Sequence, residues 1–93
     1  MNYVNVIGST KMKRDLVESA VVFCISELMP RMRTLEIEVN IKNLKSDGVA
    51  GWCYEGDGNR DFYIDVDKSL TGAELLCTVC HEMVHVWQSA TRK

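Results

Sequence analysis

The chain holds a single proline, only two histidines and 8% aromatic residues. It also lacks any excess of one charge, any long apolar run and any repeat. One proline leaves no room for a Pro-rich linker or a polyproline segment. Without an apolar stretch of ~18 residues, no membrane-spanning helix is expected. Residues 1–14 lack an apolar segment followed by a small-residue cleavage site, so no signal peptide is expected either. Eleven Lys+Arg against 13 Asp+Glu give a net charge of -2, which provides no basic face for nucleic acid. What is present is 93 residues that are 46% hydrophobic, enough for one modest core. The whole span 1–93 therefore reads as one domain, without a membrane segment or a nucleic-acid partner.

The four cysteines, Cys24, Cys53, Cys77 and Cys80, sit within apolar stretches. With no export signal they read as reduced thiols of a cytoplasmic protein rather than a disulfide framework. Cys77 and Cys80 form a C-x-x-C, but in mid-helix and with no second such pair to complete a four-thiolate site, so both are expected to be buried packing thiols.

Periodicity predicts the elements. From about Thr10 to Met29, Met12, Leu16, Ala20, Phe23 and Leu28 follow a helical stripe, and Pro30 ends it. Leu35, Ile37, Val39 and Ile41 alternate with Glu36, Glu38 and Asn40, a period of two and hence a strand. Val49 to Glu55 is a shorter strand, and Asp61 to Asp67 another, with Phe62, Ile64 and Val66 on its core face. Ser46-Asp47-Gly48 and Gly56-Asp57-Gly58-Asn59 are turn signals, the second closing an antiparallel hairpin. Thr71 with Glu74 forms a capping box, and Leu70 with Leu75 a hydrophobic staple, for a last helix running to about Ala90. Arg92 and Lys93 suit the negative end of its dipole. The expected architecture is α+β: an N-terminal helix, a three-stranded mostly antiparallel or mixed sheet, and a C-terminal active-site helix.

That last helix contains His81-Glu82-Met83-Val84-His85, an H-E-x-x-H. Residues four apart on a helix differ by about 40° in direction and ~6 Å in height. Both imidazoles can then meet one metal ion at the ~2.0–2.1 Å zinc requires. Glu82, next to the first histidine, stands beside the metal and can take a proton from a zinc-activated water attacking a peptide carbonyl. The two histidines of the chain are both spent on this spacing. Zn²⁺ held by His81 and His85, with Glu82 as general base, is the expected site.

The stretch from Ala50 to Gln88 resembles the SprT-like zinc metallopeptidases and similar small single-domain zincins, with phage-encoded members the nearest in kind. The resemblance rests on Ala50-Gly51-Trp52-Cys53 opening a strand, Phe62-Tyr63-Ile64-Asp65-Val66 as the next, and Leu75 to Gln88 around the H-E-x-x-H. It covers the last half of the chain in detail and the first half in element order only. It implies a zincin-like core and peptide-bond hydrolysis on a protein or peptide substrate, in the host cytoplasm if phage-encoded. It also implies that Gly51, Trp52 and Cys53 lie on an edge strand that pairs with extended substrate. The alternative for that strand is an ordinary hairpin strand, with Trp52 and Tyr54 as packing residues.

The chain departs from zincin patterns in one respect. Gln88 and Thr91 occupy the positions where a metzincin has glycine and histidine, and only 8 residues follow His85, too few for a gluzincin-type third ligand. Cys77 lies ~12 Å of rise from His85, too far to share an ion, and Gln88 is better placed as a hydrogen-bond partner. Asp65 or Asp67 from the neighbouring strand, a second chain, solvent, or a missing downstream segment remain as sources of that ligand. The 93-residue form is accordingly expected to be weakly active or inactive. The rival reading is a non-catalytic, degenerate zincin that serves as a protein-interaction module and forms a homo-oligomer.

Overall fold

The computed structural model describes residues 2–44, 48, 50–56 and 60–91. Its elements, in chain order, are β1 (Tyr3–Ile7), α1 (Lys11–Leu28), β2 (Glu36–Lys42), β3 (Gly51–Glu55), β4 (Asp61–Asp67) and α2 (Gly72–Thr91). The α+β class and the two helices stand as expected, but the sheet has four strands in the order β1-β2-β4-β3, not three. Of the two expected arrangements it is the mixed one, not the mostly antiparallel one: β1 pairs parallel with β2, β2 pairs parallel with β4, and β3 runs antiparallel to β4.

The physical reason lies in the connections. Parallel neighbours need a crossover of a dozen or more residues, and α1, with 18, supplies one between β1 and β2. β3 is an excursion to the outer edge, and the chain returns from it through the hairpin to lay β4 against β2. The hairpin register pairs Gly51 with Val66, Cys53 with Ile64 and Glu55 with Phe62. Most of that turn and of Ser46-Asp47-Gly48 lies outside the described residues, as do Arg92 and Lys93.

Both helices pack on one face of the sheet. The core joins Val17, Val21 and Cys24 of α1 to Ile37, Val39 and Ile41 of β2, Phe62, Ile64 and Val66 of β4, and Leu75, Val79, Met83 and Val86 of α2. This is the core that alternation in β2 and β4 anticipates. Among the described residues no helix packs on the opposite sheet face, which carries Tyr3, Glu38, Trp52, Tyr54, Tyr63 and Asp65. Tyr54 and Tyr63 stack there with ring centroids 5.3 Å apart. Among the described residues, no helix is long and apolar enough to cross a membrane.

The helix ends follow local chemistry. Thr10 caps α1 by accepting from the Lys13 N–H at 3.2 Å, and the helix ends two residues before Pro30. At α2 the expected capping box is not made: among the described residues no side-chain bond joins Thr71 and Glu74. Gly72 instead takes a φ of 54°, the left-handed region glycine enters readily, and the Leu75 N–H reaches the Thr71 carbonyl at 3.4 Å. Leu75 is buried and Leu70 packs against the core.

Candidate metal centre and substrate cleft

α2 is amphipathic with a twist of roles around its girth. Leu75, Val79, Met83 and Val86 point into the core, and Glu82 falls within the same stripe. His81 and His85 lie on the flank that faces β3. Between that flank and β3 is a cleft of about 440 Å³, bordered by Gly51, Trp52, Cys53, Tyr54, Glu55, His81, Glu82, His85 and Ser89. A second depression, of about 410 Å³, continues it past Gly51 toward Cys77 and Thr78. The three H-E-x-x-H residues and the three expected substrate residues therefore meet in one place.

The histidine geometry tests whether zinc fits. The two Nε2 atoms are 3.3 Å apart, with the rings nearly perpendicular at 86°. Two donors at ~2.0–2.1 Å from a tetrahedral ion lie roughly 3.3–3.4 Å from each other. The separation equals the bite of a zinc chelate, and equally that of a hydrogen bond between the two rings. Among the described residues, no three His, Cys, Asp or Glu side chains are grouped to hold a metal.

Asp65 and Asp67, considered above as a third ligand, are turned away. They lie on the sheet face opposite α2 and are engaged there. Asp65 Oδ2 accepts from Trp52 Nε1 at 2.8 Å and pairs with Lys42 Nζ at 3.3 Å. Asp67 Oδ1 accepts from the Leu44 N–H at 2.9 Å, and its other oxygen accepts from the Ser69 hydroxyl.

Glu82 is 6% exposed, yet no hydrogen-bond donor among the described residues reaches it. Its carboxylate borders the cleft beside Cys53. Burial first, then the charges of Glu82 and Glu55, push the Cys53 thiol up to about 11, so it is held protonated near neutral pH.

β3 is an outer strand, and the hydrogen bonds at its two ends set which of its backbone groups remain available. The Asp67 N–H bonds to the Ala50 carbonyl and the Gly56 N–H to the Asp61 carbonyl. By alternation, Trp52 and Tyr54 bond inward to β4, while Gly51 and Cys53 turn their N–H and C=O groups outward. Gly51 and Cys53 also occupy the face toward α2. Trp52 borders the cleft, but its indole is committed to Asp65 on the far face. Gly51 has a steric duty as well. A Cβ there would lie 2.9 Å from the Asp65 carbonyl oxygen and 2.9 Å from Thr78 Cγ2, so glycine lets β3 approach α2 closely.

Two cleft residues escaped the sequence reading. Ser89 follows His85 by one helical step of four, and Glu55 follows Cys53 by one strand period of two, so both spacings were present as signals. The cysteines also differ from expectation. Cys77 is exposed, and Cys80 contacts Cys24 of α1, with sulfurs 3.5 Å apart. Burial, and then Cys80, push the Cys24 thiol up to about 12.

Comparison with known proteins yields no matching family, no matching curated protein and no matching solved structure.

Proposed function

We propose that this chain is a zincin-type metallopeptidase domain that hydrolyses peptide bonds, with His81 and His85 as zinc ligands and Glu82 as general base. The observation that carries the reading is the 3.3 Å separation of the two Nε2 atoms, at the mouth of a cleft that also holds Glu82. When bound, zinc supplies Lewis acidity and lowers the pKa of water.

The rest follows from the chain's own groups. An extended peptide adds to the outer edge of β3 through the outward N–H and C=O groups of Gly51 and Cys53. That alignment runs its backbone along the cleft, past Glu82. The Glu82 carboxylate accepts a proton as water attacks the carbonyl carbon, and returns it to the amide nitrogen as the C–N bond breaks. The buried position of Glu82 holds it in one orientation for both transfers. With two protein ligands rather than three, zinc affinity and turnover should both be low.

The gathering of only two ligands among the described residues favours a second reading, a degenerate zincin that binds a protein without cleaving it. Metal content and cleavage separate the two. Titrated with zinc at equilibrium, the protein should take up about one weakly held ion per chain, and His81→Ala should lose that uptake. Slow cleavage of an unstructured protein such as casein should disappear in Glu82→Ala. Cleavage that survives Glu82→Ala defeats the mechanism, and a stable chain that takes up no zinc supports the interaction module instead.

A further inference from the structure

The other outer strand, β1, shows a different kind of incompleteness. Proteins usually blunt an exposed sheet edge with a charge, a proline or a bulge. β1 reads Tyr3-Val4-Asn5-Val6-Ile7 and has none of these. Its hydrogen bonding to β2 is set by the Tyr3 N–H, which donates to the Leu35 carbonyl at 2.8 Å. Tyr3, Asn5 and Ile7 therefore bond inward, and Val4 and Val6 turn their N–H and C=O groups to the open side. Such a row of groups, otherwise met by water, is a template for pairing with another strand.

We infer that the partner is a second copy of this chain, with two β1 strands pairing antiparallel about a twofold axis at Asn5. Joined this way, two four-stranded sheets become one continuous sheet. The sequence of β1 is self-complementary in this one register. Val4 of each copy meets Val6 of the other as a hydrogen-bonded pair, giving four bonds across the axis. The half-buried Val4 and Val6 side chains extend the core face from copy to copy. On the other face Tyr3, 61% exposed, lies directly opposite Ile7, 45% exposed, and the two asparagines face each other on the axis. Sliding by two residues sets Tyr3 against Asn5 and leaves Ile7 unpaired.

The twofold axis stands perpendicular to the sheet, so both helix layers lie on the same side and the two α1 helices become neighbours. Val22, an exposed valine, sits about 200° around α1 from Cys24, which marks the α2 side. It therefore lies on the flank turned away from α2. The β3 edges and their clefts are left at the two far ends of the joined sheet, so the pairing is independent of the peptidase reading.

Light scattering on a size-exclusion column tests this with the full chain. The wild type should run at twice the chain mass. Val4→Pro deletes an N–H that serves only the open side, leaving the β2 ladder whole. It removes two of the four bonds and should weaken the dimer by about tenfold to a hundredfold. Tyr3→Lys with Ile7→Lys places like charges opposite each other and should give a monomer that keeps the wild-type circular dichroism spectrum. Tyr3→Lys with Ile7→Glu sets opposite charges in that register and should restore the dimer. These two double variants, at exposed positions, decide the matter if Val4→Pro fails to fold. A wild type that is monomeric at its highest soluble concentration, or a dimer indifferent to both double variants, overturns the inference.

Discussion

Replacing Glu82 by glutamine should make the metal-free protein more stable while abolishing cleavage. Glu82 occupies a core-facing position of α2, between the fully buried Val79, Met83 and Val86, and is itself 6% exposed. No donor among the described residues bonds it, although its oxygens are not wholly cut off from solvent, and a buried polar group short of a partner costs on the order of 1–3 kcal/mol. Because the carboxylate borders the cleft, it keeps part of its hydration, so the lower end applies, about 1 kcal/mol. Glutamine keeps the shape and removes the charge. In a domain of this size, a gain of about 1 kcal/mol raises the unfolding midpoint by about 4–8 °C. The assay is thermal unfolding by circular dichroism with excess chelator, repeated with excess zinc. In chelator the Glu82→Gln midpoint should exceed that of the wild type. In zinc the gap should narrow, because the ion gives the wild-type carboxylate a positive neighbour. A midpoint that falls by several degrees in chelator would refute the reasoning, for it would mean that Glu82 supports the fold rather than being tolerated by it.

Two further outcomes follow from the same region. The Cys53 and Cys24 thiols are raised from 9.0 to about 11 and about 12, so the native state keeps protons that the unfolded chain releases. Their contribution to stability is complete below pH ~9 and lost as pH rises through ~11 and ~12. Urea midpoints across that range should fall, and Cys24→Ala with Cys53→Ala should flatten the slope; an unchanged slope counts against the assignment. Gly51→Ala should cost about 1–3 kcal/mol by overpacking, and Thr78→Ala should rescue it only in part, because the Asp65 carbonyl oxygen cannot yield. Urea unfolding reads both, and a neutral Gly51→Ala would contradict the close approach of β3 to α2.

How much of this was legible depended on distance along the chain. His81, Glu82 and His85 could be placed together because the helix relating them is local and its step is fixed. The alternation in β2 and β4 likewise revealed which side chains enter the core. β1 was hidden because Tyr3, Val4, Val6 and Ile7 are apolar on both phases of the strand, which erases the period of two. The parallel pairing of β2 with β4 was not legible either, since β3 intervenes in sequence but not in space. Cys77 looked like a packing thiol because its neighbours Leu75, Leu76 and Val79 are apolar. Its exposure depends on which arc of α2 meets the sheet, and that is set by the whole sheet rather than by the segment. The same holds for Asp65, whose proximity to α2 along the strand says nothing of the face it occupies.

β3 is a strand in which no residue is fully buried, and it meets the sheet along β4 alone. The groups that would hold a metal and move a proton stand on α2, whose inner stripe is the centre of the core. The two walls of the cleft therefore differ in how much of the fold depends on them. Substitutions along β3, Gly51 apart, alter what the cleft can grip at little cost to folding, whereas changes around His81 and His85 act on the core itself. On the proposed peptidase reading, such a division would let the grip on substrate change while the chemical groups stay fixed.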